Sequence, residues 1–126
     1  MKKELSAQLY LRFTELFAGR NKPLNESLMG FGFECGSGWY KLIYQLCEDL
    51  EKDSKEEGVD IPEVMQVKEK LGGLRFYVTG ATSTMFDLID EAESKSESIC
   101  EVCGDKAERF SDGGWIKTRC KKHQDS

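Results

Sequence analysis

The chain has 126 residues, 39% of them hydrophobic and 33% charged, with a formal net charge of −5. That length suits one domain with a small appendage and permits a real core. No apolar run approaches the roughly 20 residues of a membrane span, and "MKKELSAQLY" is too interrupted by polar and acidic residues for a secretory signal. These features predict a cytoplasmic protein, where clustered reduced cysteines serve metal binding more often than disulfides. The charge is uneven. Residues 48–69 hold nine acids and three lysines, whereas residues 100–126 hold six bases and five acids. Such a chain lacks a long basic footprint for duplex DNA, and its acidic run reads as a solvated helix end and loop.

In chain order, "KELSAQLYLRFTELFAG" places Leu5, Leu9, Phe13, Leu16 and Phe17 at helical spacing and predicts a helix over 3–19. Gly19 and Pro23 end it. "GFGFECGSG" predicts a short strand with Phe31 and Phe33 on one face. A second helix starts near Trp39, with Ser37 as cap and Leu42, Ile43, Leu46, Cys47 and Leu50 as its apolar stripe. It dissolves into "EKDSKEEG", an acidic flexible exit. Trp39 reads as a core plug where the loop returns.

"VMQVKEKLGGLRFYVTG" predicts a β-hairpin with Gly72-Gly73 as its two-residue turn. That register pairs Leu71 with Leu74, Lys70 with Arg75 and Val67 with Val78. It gathers Met65, Val67, Leu71, Leu74, Phe76 and Val78 on the core face. Glu69 breaks the pattern opposite Phe76, so either the strand end frays or the register differs. A third helix over 82–99 turns Met85, Leu88, Ile89, Ala92, Ser96 and Ile99 inward. It runs into Cys100 with no linker, so the tail is expected to be fixed to the core.

The tail holds the main chemical signal. Cys100 and Cys103 form a CxxC pair, Cys120 and His123 a CxxH pair, and sixteen residues separate them. A CxxC turn followed by Gly104 makes a knuckle in which two thiolates converge and the glycine takes the left-handed conformation. The second pair adds one sulfur and one imidazole nitrogen, which completes a tetrahedral, closed shell for one structural Zn2+. "SDGG" is the turn of the intervening hairpin, which pairs Phe110 with Trp115 and Glu108 with Lys117. The expected organisation is α+β, with helices packed on a small antiparallel sheet and a C-terminal zinc ribbon. Residues 1–99 form the core (helix, loop or strand, helix, β-hairpin, helix), and residues 100–126 form the ribbon, continuous with it.

Catalysis finds little support. Cys35 sits before a helix start, where a thiol can be activated, but the single histidine is assigned to the metal and no base stands beside the sulfur. Cys35 and Cys47 therefore read as buried small residues. Asp87, Asp90, Glu91 and Glu93 read as a solvated helix face, and "KEKLGGLRF" lacks the Lys-Ser/Thr end of a phosphate loop. Two surfaces are candidates for a partner. One is the outer hairpin face with Lys68, Lys70, Arg75 and Tyr77, a basic strip with an aromatic. The other is the ribbon with Arg109, Trp115, Lys117 and Arg119, residue types favoured as interface anchors. Trp115 could equally pack on Phe110 and shield the metal.

"ECGSGWYKLIYQLCEDL", "VMQVKEKLGGLRFYV", a helix ending in "CEVCG" and then "GWIKTRCKKH" together resemble a family of small proteins encoded in bacteriophage and prophage genomes. The resemblance covers about residues 33–123. It implies phage or prophage origin and the zinc knuckles at Cys100, Cys103, Cys120 and His123, and no activity or catalytic residue. Ser37 departs from it, standing where relatives would carry an acidic helix cap. The expectation is a non-catalytic zinc-containing protein that binds a host protein or protein complex, with inhibition of a bacterial defence system as one concrete form. The alternative is a nucleic-acid-binding regulator that uses the ribbon and the basic hairpin face.

Overall fold

One aromatic-rich cluster sets the course of the first forty residues. Leu9, Phe13, Leu16, Phe17, Met29 and Trp39 are all at most 1% exposed, and Tyr10, Phe17 and Phe33 meet ring to ring. The molecule is described here by a computed structural model, which covers residues 1–125. Its regular elements are α1 (Lys3–Arg12), β1 (Phe33–Glu34), α2 (Tyr40–Glu57), β2 (Glu63–Lys70), β3 (Gly73–Thr79), α3 (Ser83–Ser96), β4 (Glu108–Asp112) and β5 (Trp115–Arg119), joined by short 3-10 turns. The fold is α+β, with three helices, a three-stranded sheet and a separate C-terminal hairpin. No helix among the described residues is long and apolar enough to cross a membrane.

The first helix is shorter than its apolar spacing predicts. It ends at Arg12, and the next turn swings the Leu16 carbonyl onto β2, where Val64 N–H donates to it at 2.8 Å. A straight helix to residue 19 could not bury Phe13, Leu16 and Phe17 while making that bond. The second helix is longer than expected. It continues through the acidic stretch to Glu57 and closes on Gly58 at φ 66, the left-handed stop that glycine supplies. Asp53 and Ser54 are buried at its end. The Thr82 hydroxyl lies 3.2 Å from an Asp53 carboxylate oxygen and 3.1 Å from one of Glu57. Thr82 also accepts from Met85 N–H as the α3 cap. The acids thus tie the end of α2 to the start of α3.

The sheet is mixed rather than antiparallel. β1 pairs with β2 in parallel, Phe33 with Val67, because the chain crosses over through α2 between them. β2 and β3 are antiparallel, but the turn is Leu71-Gly72, not Gly72-Gly73. Lys70 pairs with Gly73, Lys68 with Arg75 and Val67 with Phe76. A bulge between Val64 and Gln66 then turns Val64, rather than Met65, into the core, where it is fully buried. The observed register aligns Val67 with Phe76 and Phe33, all buried. Leu74 and Phe76 N–H donate to Ser96 Oγ and Glu93 Oε2, each at 2.9 Å. These side chains of α3 cover the β3 edge, which would otherwise be a template for pairing. Glu69, which broke the expected pattern, stands opposite Leu74, and its carboxylate accepts from Gly72 N–H at 2.8 Å.

This register leaves Leu71 at φ 55, the only non-glycine residue with positive φ among the described residues. Its side chain is 52% exposed instead of joining the core. A left-handed leucine costs about 1–2 kcal/mol. Asn-Gly is the preferred pair for a two-residue turn with both φ angles positive. Leu71→Asn is therefore expected to raise stability by about 1 kcal/mol, read as a higher urea midpoint at unchanged denaturant dependence.

Candidate metal centre

Four side chains converge where α3 runs out. After Ser96 the chain makes a final turn, and Ile99 bridges Lys106. The knuckle Cys100–Gly104 follows, closed by Gly104 N–H to Cys100 O at 2.9 Å, with Gly104 at φ 86. β4 and β5 return the chain through Gly113-Gly114, both with positive φ, to Cys120. A single 3-10 turn, Lys121–His123, brings the imidazole back over the sulfurs. The hairpin register differs from expectation. Asp112 pairs with Trp115, Phe110 with Lys117 and Glu108 with Arg119. Two glycines suffice for the turn, so the loop is two residues shorter than "SDGG" implies.

The ligand atoms of Cys100, Cys103, Cys120 and His123 all lie within 4.8 Å of one another. Cys103 Sγ is 3.7 Å from Cys120 Sγ. His123 Nδ1 is 3.3 Å from Cys120 Sγ and 3.8 Å from Cys100 Sγ. Tetrahedral Zn2+ with ordinary Zn–S and Zn–N bonds requires about 3.8 Å between sulfurs and about 3.6 Å from sulfur to nitrogen. The donor set and its spacing therefore fit one ion, and three thiolates with one imidazole favour zinc.

The electrostatics ask for a cation. Burial opposes ionisation of Cys100, but backbone N–H groups of Cys120, Cys103 and Val102 aimed at its sulfur outweigh burial and bring the thiol down to about 6. At Cys103 an N–H from Asp105 favours the thiolate, yet desolvation and the neighbouring Cys120 and Cys100 sulfurs prevail and push it up to about 11. Of these two sulfurs, Cys100 takes the thiolate form readily and Cys103 resists it beside its neighbours.

The centre is seated on the rest of the chain through "CGSG". Gly38 N–H donates to Glu101 O at 2.7 Å, Gly36 N–H to Glu101 Oε2 at 2.9 Å, and Trp39 Nε1–H to Ile99 O at 2.8 Å. A Cβ at Gly38 would stand 2.0 Å from Cys100 O, and one at Gly36 2.3 Å from Glu101 O. Ser37 does not cap α2; its hydroxyl accepts from Lys2 N–H at 2.9 Å. Trp39 is fully buried, as a core plug should be. Cys47 is fully buried and Cys35 nearly so. Burial, followed by the nearby Glu101 carboxylate, pushes the Cys35 thiol up to about 12, the reverse of an activated nucleophile.

The expected partner surfaces are rearranged. Lys68, Arg75 and Tyr77 lie on the outer face of the sheet, with Lys68 and Arg75 cross-strand neighbours and Glu34 aligned beside Lys68. Arg109 leaves the ribbon surface for Glu97, an ion pair of 3.2 Å. Lys70, Trp115, Lys117 and Arg119 instead come together in a cleft of about 430 Å3, between the β2–β3 turn and the C-terminal hairpin. Sequence reasoning missed that Leu71, Glu69 and Glu101 also line it. The break at Glu69 was the one available signal, since it marked the register that turns Leu71 outward. Trp115 does not pack on Phe110; it stands opposite Asp112 and is 74% exposed. A larger groove between α1 and α2, about 750 Å3, contains none of the expected partner residues.

No family model, curated protein or solved structure matches the chain. The chemistry of this chain's own residues therefore carries the assignment of a possible zinc site. Purified protein is expected to hold one zinc per chain by elemental analysis. Cys103→Ser should remove the metal and the melting cooperativity of the C-terminal hairpin, since binding free energy here is folding free energy. Gly38→Ala should lower stability by about 3 kcal/mol. Gly80→Ala, where an added Cβ meets nothing within 4 Å, should lose only about 1 kcal/mol of left-handed strain. Denaturant unfolding compares the two.

Proposed function

We propose that the chain is a non-catalytic, zinc-containing binding protein that acts by contact with a host protein or protein complex. The observation that carries this reading is the division of labour at the tail. The four donor atoms lie within 4.8 Å of one another, and a tetrahedral ion held by all four would have no position left for water or substrate. Trp115, in the same ribbon, stands 74% exposed at the rim of a cleft. When bound, the ion holds the segment's architecture, and the adjoining surface is left for recognition. Tryptophan and arginine are the residue types that dominate protein interfaces. The phage or prophage origin, and inhibition of a bacterial defence system as the concrete form of the activity, rest on the resemblance of the motifs alone.

A nucleic-acid-binding regulator is the rival, favoured by the aromatic and three cations of the cleft. Against it, Arg109, Lys117 and Arg119 each have a carboxylate within 4 Å. The test is capture from several bacterial host lysates on the immobilised zinc-loaded chain, alongside Trp115→Ala. One host protein or complex retained by wild type and lost by Trp115→Ala is the expected result. Specific capture of no protein from any host would overturn the reading. Retention of oligonucleotides at low salt that vanishes at moderate salt would favour the rival, since phosphate contacts are steeply salt-dependent.

A further inference from the structure

The cleft between the β2–β3 turn and the C-terminal hairpin has two features that folding alone does not require. The first is Leu71. The turn needs a positive φ at this position, for which asparagine or glycine is suited, yet the residue is a leucine with half its surface in solvent. Strain of this kind persists where it serves a site. The second is Trp115, which is 74% exposed and lines the same cleft as Leu71.

The charges around this apolar pair are also particular. The chain carries a net −5, yet the cleft is lined by Lys70, Lys117 and Arg119 against Glu69 and Glu101. Both carboxylates accept from the protein's own backbone, and Glu101 also lies 3.9 Å from Arg119. Glu69 accepts from Gly72 N–H at 2.8 Å, and Glu101 from Gly36 N–H at 2.9 Å. Lys117 is held only at 3.7 Å by Asp112. Lys70 has no carboxylate within ion-pair distance among the described residues. A locally cationic, apolar-floored cleft on an acidic protein is complementary to acids flanking an apolar side chain.

Resting on the reading of a protein-binding module, we infer that this cleft takes an acidic segment of the partner protein. A large apolar side chain of that segment seats against Leu71 and Trp115, and its carboxylates face Lys70 and Lys117. One wall is the β2–β3 turn and the other is the ribbon, so the cleft exists only while the metal-bearing tail is docked.

The test is selection of a random linear peptide library on the full-length zinc-loaded chain. Enriched peptides should carry Asp or Glu beside Leu, Ile, Phe or Trp. A synthetic peptide from the selection should bind Leu71→Asn and Trp115→Ala about tenfold or more weakly, and Lys70→Glu more weakly as well. Leu71→Asn is expected to keep or raise stability, so loss of fold cannot account for its lost binding. Failure to enrich any peptide family, enrichment of basic peptides, equal binding by Leu71→Asn and Trp115→Ala, or displacement of the peptide by a single-stranded oligonucleotide would each overturn the assignment. If a host protein is captured equally well by wild type and Leu71→Asn, the binding role stands and the cleft alone is wrong.

Discussion

The constraint on which the molecule depends is the seating of the metal knuckle on Gly36 and Gly38. Two backbone carbonyls, those of Cys100 and Glu101, approach the loop so closely that no side chain fits between. Glu101 then links three regions. Its side chain and carbonyl hold Gly36 and Gly38, and its N–H donates to Thr118 O in β5. Thr118 in turn bonds the Gly72 carbonyl in the β2–β3 turn. The loop before α2, the ribbon and the first hairpin therefore meet around two residues of the knuckle. A ligand that is fully buried, Cys100, sits at that junction. The free energy of binding an ion there would thus reach the domain interior as well as the tail.

Local patterns with a fixed period were legible in the sequence. The stripe of α2, the inward face of α3 and the Cys3His donor set all follow from spacing within a few residues, and the structure places them together as the spacing implies. The ends of elements were not. The break in α1 at Arg12 goes with the hydrogen bond from Val64 N–H to the Leu16 carbonyl, a contact from far along the chain and invisible to helical periodicity. Continuation of α2 through the acids depends on Thr82 meeting Asp53 and Glu57. β1 has two residues, too few for any alternation to declare its parallel pairing.

The two double glycines show how far turn chemistry reaches alone. Gly113-Gly114 forms the turn of its hairpin, but at Gly72-Gly73 only the first glycine does, and Leu71 supplies the other left-handed residue. Composition does not separate these cases. What decides the second is the core. Val67 must oppose Phe76, and Leu74 and Phe76 must offer their N–H groups to Ser96 and Glu93 of α3. A turn one residue later would shift every pairing by two positions, setting Val67 against Val78 and losing that alignment. Burial of several side chains outweighs the strain of one leucine. The same shift decided the candidate interface, since it moved Leu71 from the core to the cleft.

That displacement bears on how the ribbon and the core divide the work. A hairpin of this size has little interior of its own: β4 is exposed along its length except for the half-buried Phe110, and Thr118 is the one buried residue of β5. Trp115, the largest apolar residue it owns, is left in solvent beside an equally unburied leucine from the other hairpin. If apolar area were placed only for stability, both would be turned inward, since each full burial is worth about 2 kcal/mol. Their joint exposure in one cleft, beside a donor set that would supply local stability once it held an ion, is the feature on which the proposed contact surface rests.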